Sequence, residues 1–169
     1  MDLGTTIVGI VIILICIIPF ALMSINSRKK EKKLIQGLSD IANRNNCKIS
    51  RHELWNNSII GIDDTVLMIF FTRKSKDNET SQQINLTEIQ KCRVINSSRT
   101  VSNKEGNFKV VEKLELAFSF QDKSKSEVVL EFYNADYDSL TLMGELQLVE
   151  RWCKIFSDYS DLDQDRISQ

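Results

Sequence analysis

The sequence predicts an α+β protein, with an N-terminal transmembrane helix followed by one antiparallel β domain that a C-terminal helix closes. Three observations predict it. Residues Leu3 to Asn26 carry no charge, the stretch from Cys47 to Phe132 is a series of short apolar runs separated by polar turns, and the segment after Asp138 changes to helical spacing.

The anchor is expected over residues 1–26. A helix rises about 1.5 Å per residue, so the uncharged run reaches roughly 36 Å, against a hydrocarbon core of about 30 Å. Its centre, Ile7 to Ile18, is almost wholly aliphatic, and a helix there satisfies its own backbone hydrogen bonds in lipid. The leader Met1-Asp2 lacks the Lys or Arg of a secretory n-region, which points to an anchor that is not cleaved. Arg28, Lys29, Lys30, Lys32 and Lys33 follow at once and form the expected membrane-surface cluster. Each contributes on the order of 1 kcal/mol near an anionic leaflet, and short basic flanks stay on the cytoplasmic side. The expectation is a single-pass protein of the inner or plasma membrane, N-terminus outside and C-terminal domain cytoplasmic, with the bilayer as its first partner.

Residues 27–46 read as a basic juxtamembrane helix. Leu34, Leu38, Ile41 and Ala42 recur on one face, a stripe of under two heptads. It offers either a homo-oligomer contact through Leu34, Leu38 and Ile41 or a face to pack on the domain. Asn43 to Asn46 breaks the helix.

The β domain is expected over residues 47–158, with a polar tail at 159–169. Cys47 to Trp55 reads as a first strand, Asn56-Asn57 as a turn, and Ser58 to Asp63 and Thr65 to Arg73 as two strands joined tightly at Asp63-Asp64. Val66 to Phe71 is apolar on both faces, which suits a strand covered on two sides. Arg73 to Ser81 reads as a polar loop, with further strands at Gln82 to Leu86 and Gln90 to Val101. Leu114, Leu116, Phe118 and Phe120 alternate with polar or small residues, and Val128, Leu130 and Phe132 repeat the pattern beyond a turn, so the two runs make a hairpin. Leu142, Leu146, Val149, Cys153 and Phe156 then recur at steps of four and three, an amphipathic helix whose start Asp138 or Ser139 can cap.

Charge and cysteine usage narrow the function classes. The net charge of −1 removes the electrostatic case for nucleic acid. Cys47, Cys92 and Cys153 are an odd set without paired spacing, which favours buried thiols over a disulfide framework. The single histidine, His52, has no Cys or carboxylate at metal-ligand spacing. Asp63-Asp64 serve a turn, and Asp161, Asp163 and Asp165 imitate a calcium loop in which Arg166 occupies the position that needs Gly. No Gly-rich phosphate cradle or activated nucleophile is legible, so no catalytic, cofactor-binding or metal residue is expected.

Ile60-Gly61-Ile62-Asp63, the apolar strand through Phe71, Ile84 to Ile89 leading into Cys92 and Val94, and the helix around Trp152 together resemble the pleckstrin-homology-like (PH-like) superfold. That resemblance covers roughly Cys47 to Asp158, and it implies an antiparallel β-sandwich or barrel of about seven strands capped by a helix. A single-span anchor ahead of such a domain is also similar to bacterial membrane proteins. The resemblance implies binding of lipids, peptides or proteins rather than catalysis. Its phosphoinositide-binding members carry basic residues between their first two strands, whereas here the denser group, Arg73, Lys74 and Lys76, lies in a later loop. The expected function is a membrane-anchored, cytoplasmic, non-enzymatic scaffold or adaptor for a protein partner, with anionic-lipid sensing through Arg73, Lys74 and Lys76 as the alternative.

Overall fold

The computed structural model describes Ile13, Ile15 and residues 28–75, 78–104, 106–139 and 141–167. The chain divides into two units, Met1–Gly37 and Leu38–Gln169. The boundary falls within helix α1 (28–44). In the first unit, residues 28–33 of α1 are exposed.

The second unit opens on the last turns of α1, which end where the sequence places the break. Asn46 adopts φ 56°, the Cys47 N–H donates to the Ala42 carbonyl at 2.9 Å, and the Asn46 N–H donates to the Asn43 carbonyl at 3.1 Å. This is a left-handed C-cap, and Asn tolerates the conformation better than most residues. Because the Cys47 N–H is used there and the Lys48 N–H goes to Asp63 Oδ2 at 2.6 Å, the first strand starts later than expected.

Seven strands follow: β1 (Arg51–Trp55), β2 (Ser58–Asp63), β3 (Met68–Lys74), β4 (Glu79–Asn85), β5 (Ile89–Asn103), β6 (Gly106–Phe120) and β7 (Val128–Asn134). Helix α2 (Glu145–Ile167) ends the unit. The strands form two antiparallel sheets, ordered β1-β2-β3-β4 and β5-β6-β7. Asn56-Asn57 is the two-residue turn between β1 and β2, with Asn56 at φ 48°. The turn between β2 and β3 is longer than the sequence suggests, since β3 begins at Met68 after Leu67 takes φ 55°. Asp63 organises it: Oδ1 accepts from the Thr65 N–H at 2.9 Å and the Thr65 hydroxyl at 2.5 Å.

The fold class expected from the sequence is corrected accordingly. What stands among the described residues is two sheets, of four and three strands, with two helices. No ladder among the described residues joins the two sheets, so the strands do not close into a barrel. Among the described residues no helix is long and apolar enough to cross a membrane. Composition is the reason: the described part of α1 carries Arg28 to Lys33, and α2 carries Glu145, Glu150, Arg151, Lys154 and Asp158. The anchor expected over residues 1–26 lies outside the described residues, apart from Ile13 and Ile15.

The core has one principal cluster. Ile60, Ile62, Ile69, Phe71 and Ile84 come from the first sheet, Leu114, Leu116, Phe118, Leu130 and Phe132 from the second, and Leu148, Val149, Trp152 and Phe156 from α2. Burying such side chains is worth about 1.5–3 kcal/mol each. Every residue of β2 is buried, because its other face is covered as well. There a Cβ on Gly61 would lie 2.8 Å from Leu38 Cδ2, so glycine is what lets α1 approach this strand. Helix α2 starts at Glu145, later than the Leu142 stripe implies. The Gly144 carbonyl accepts the Leu148 N–H at 3.0 Å, and Asp138, one of the two expected caps, is used elsewhere. The helix also runs to Ile167, through most of the segment expected as a polar tail.

Candidate interaction surface

The structure sets apart the two described residues of the expected lipid or partner contact, Arg73 and Lys74. Arg73 is only 6% exposed, and its guanidinium points inward from β3. Nη2 donates to Asp138 Oδ2 at 2.6 Å, and Nη1 to Ser58 Oγ at 3.1 Å and to the Phe132 carbonyl at 3.3 Å. Nε lies 3.2 Å from Glu131 Oε1, an ion-pair contact without hydrogen-bond alignment. The ring of Tyr137 covers the guanidinium at 5.2 Å. The same Phe132 carbonyl accepts Trp55 Nε1 at 2.8 Å, and the Trp55 ring stacks on Phe132 at 4.6 Å. Arg73 therefore bolts β3 to β2, β7 and the loop after β7, and it is withdrawn from any headgroup. Lys74 is exposed and pairs with Glu79 at 3.2 Å, whereas Lys76 lies outside the described residues.

The other expected contacts divide between interior and surface. Of the oligomer stripe, Leu38 is 1% exposed and faces Gly61, so it belongs to the interior of its own unit, and Ile41 is half-buried. Leu34 belongs to the first unit. Arg28, Lys29, Lys30, Lys32 and Lys33 are all exposed on α1. His52 is exposed on β1, and Asp63 is buried, its carboxyl held below the ordinary range by the Thr65 hydroxyl and by backbone N–H donors against the cost of burial. Trp152 is buried in the core.

Between β1 and α2 runs an open groove. About 400 Å³ in volume, it is lined by Ser50, Arg51, His52, Glu53, Trp152 and Ile155. Its polar groups hold the helix to the strand. Glu53 accepts from Arg151 and, at 3.1 Å, from Trp152 Nε1, while Arg51 Nη2 donates to the Tyr159 hydroxyl at 2.5 Å and to Asp64 Oδ1 at 3.0 Å. Burial works against the Asp64 charge, but the hydrogen bonds from Arg51 and Tyr159 prevail and keep its carboxyl below the usual range. Among the described residues no group of three or more His, Cys, Asp or Glu is placed to hold a metal ion.

The surface that stands apart is one the sequence reading did not single out. β5 and β6 are each 15 residues long, but β7 pairs only with Lys113–Phe118 of β6. Six further residue pairs, from Ser98↔Val111 to Asn103↔Gly106, carry on beyond the sheet as a two-stranded ribbon. At about 3.4 Å per residue it extends roughly 20 Å. A register shift between Ser97 and Ser98 marks its base, and Gly106 at φ 135° forms part of its tip.

The ribbon is amphipathic. Val101 pairs directly with Phe108 and Arg99 with Val110, which puts Val101, Phe108 and Val110 on one face, with Arg99 at the base of that face and Asn103 at the tip of the ribbon. The other carries Thr100, Ser102, Asn107 and Lys109, with Ser102 Oγ donating to Asn107 Oδ1 at 2.5 Å. Phe108 is 46% and Val101 39% exposed, so the apolar face is open to solvent. A two-stranded hairpin is marginal in water on its own, and among the described residues neither backbone edge of the ribbon is paired. The signal that could have revealed it is the placement of Val101 and Phe108 at equal distance from the polar turn ending at Gly106. Compared with known proteins, the chain matches no family model, no curated protein and no solved structure.

Proposed function

We propose that this chain is a non-enzymatic interaction module held at a membrane, with its β domain on the cytoplasmic side, and that it engages a protein partner through the β5–β6 ribbon. One observation carries the reading: exposed Val101 and Phe108, with half-buried Val110 beside them, on a ribbon whose two edges are both unpaired among the described residues. A partner that supplies an extended strand would pair with an edge and cover that face with its own apolar side chains, the economical way to satisfy both features at once. Membrane attachment is supported by the uncharged run from Leu3 to Asn26 and the basic cluster after it. The loop trio gives lipid sensing little support, because Arg73 is committed to Glu131 and Asp138.

The test is affinity capture of the tagged full chain after mild detergent extraction. A stable partner is expected with the natural chain. With Val101→Glu and Phe108→Glu combined, its recovery should fall at least about tenfold while the circular dichroism spectrum is unchanged. Equal recovery of the partner by the double variant would remove the ribbon as the contact.

A further inference from the structure

A second feature lies at the edge of the core where β5 meets α2. Cys92 of β5 pairs across the ladder with Phe118 of β6, so the two side chains share a face of the sheet. Phe118 packs on Phe156 of α2 with ring centroids 5.4 Å apart. Cys153 precedes Phe156 by three residues, one turn back on the same side of the helix. The chain of contacts brings two thiols distant in sequence to one margin of the core, where both pack against the same cluster and each bears on the ionisation of the other. Both cysteines are free, and both are half-buried at the edge of the core rather than sealed within it. Cys47, the third described cysteine, is a contrast: it is 7% exposed, and its thiol donates to the Asn45 carbonyl at 3.3 Å.

From this geometry we infer that Cys92 and Cys153 are an oxidation site, a dithiol that closes to a disulfide when the protein meets a hydroperoxide and so fastens α2 to β5. The two sulfurs have different parts. The neighbouring Cys92 thiol favours the thiolate of Cys153 and brings it down to about 7 although burial opposes this, while Cys92, facing that thiolate and itself desolvated, is pushed up. Cys153 is therefore the attacking sulfur. Its thiolate takes the terminal oxygen of the peroxide: the O–O bond breaks, an S–O bond forms, and hydroxide leaves (for an alkyl hydroperoxide, alkoxide), giving a sulfenic acid. Cys92 then attacks the Cys153 sulfur, the S–O bond breaks as S–S forms, and the Cys92 proton departs with the hydroxyl as water. One equivalent of peroxide is reduced by two electrons, and the two thiols supply them. The residues joined are some sixty positions apart, so the cross-link removes much freedom from the unfolded chain.

The experiment treats the full chain, in detergent, with hydrogen peroxide, alkylates the remaining thiols, and maps the digest by mass spectrometry. The expected result is a linked Cys92–Cys153 peptide lighter by two hydrogens, an alkylated Cys47, reversal by dithiothreitol, and a melting temperature about 5 °C or more above that of the reduced protein. Cys92→Ser should stop at the sulfenic acid and label with dimedone at position 153. Cys153→Ser should leave Cys92 alkylated. Full alkylation of both residues, under peroxide that oxidises glutathione in the same tube, would overturn the inference, as would over-oxidation of Cys153 without a linked peptide. Where a serine variant fails to fold, the linked peptide of the natural chain decides alone.

Discussion

Replacing Arg73 by alanine should cost about 3–5 kcal/mol of folding stability, a large share of what a domain of this size possesses. The cost comes from what is left behind. Glu131 and Asp138 would lose the cation between them, with side chains only 22% and 11% exposed, and Ser58 Oγ and the Phe132 carbonyl would each lose a partner. Glu131 keeps Lys113 at 3.5 Å, but Asp138 would be left without a cation, and uncompensated charge in such a place is far more expensive than the pair was worth. Lysine cannot substitute, since an ammonium lacks the planar fork that reaches Asp138, Ser58 and Phe132 at once. Lys74→Ala, one position along, removes only an exposed pair with Glu79 and should change stability by less than about 0.5 kcal/mol. Thermal unfolding of the three proteins separates these expectations. Equal melting of Arg73→Ala and Lys74→Ala would mean that the inward network does not form.

Excising the ribbon should have the opposite profile, a large effect on partner capture and a small one on folding. The excision joins Ser98 to Val111 through Asn-Gly, a pair suited to a two-residue hairpin turn and to the register that those residues already hold. Nothing between them belongs to the principal core cluster, and Val111 at its margin is retained. The shortened protein should melt within about 3 °C of the natural chain, because surface changes away from packing contribute little. Its capture of the partner should drop to background. Loss of the fold on excision would instead make the ribbon structural.

Legibility in the sequence depended on whether an interaction is local. The β6–β7 hairpin is written in strict alternation from Leu114 to Phe120 and from Val128 to Phe132, and its observed pairing, Leu116↔Leu130 and Phe118↔Val128, follows that pattern. The break at Asn43 to Asn46 and the turn at Asn56-Asn57 were likewise readable, since residues that tolerate left-handed backbone mark both. Arg73 was not. In a run of Arg, Lys and Ser it resembles any solvated loop, and the carboxylates that draw it inward, Glu131 and Asp138, lie on the far side of the domain in sequence. The end of α2 was misread because its last turns are polar; one of its residues, Tyr159, docks on Asp64 at 2.6 Å, a contact no periodicity reveals. The ribbon escaped notice because Asn96 to Glu112 is mostly polar, and only pairing shows that its few apolar residues share a face.

The most direct test of the ribbon as a binding surface is amide hydrogen exchange of the full chain, alone and with its captured partner. Added protection is predicted within 98–103 and 106–111, strongest around Val101 and Phe108, with the β1–α2 groove unchanged. Protection confined to the groove or to α1, with the ribbon amides exchanging as before, would contradict it.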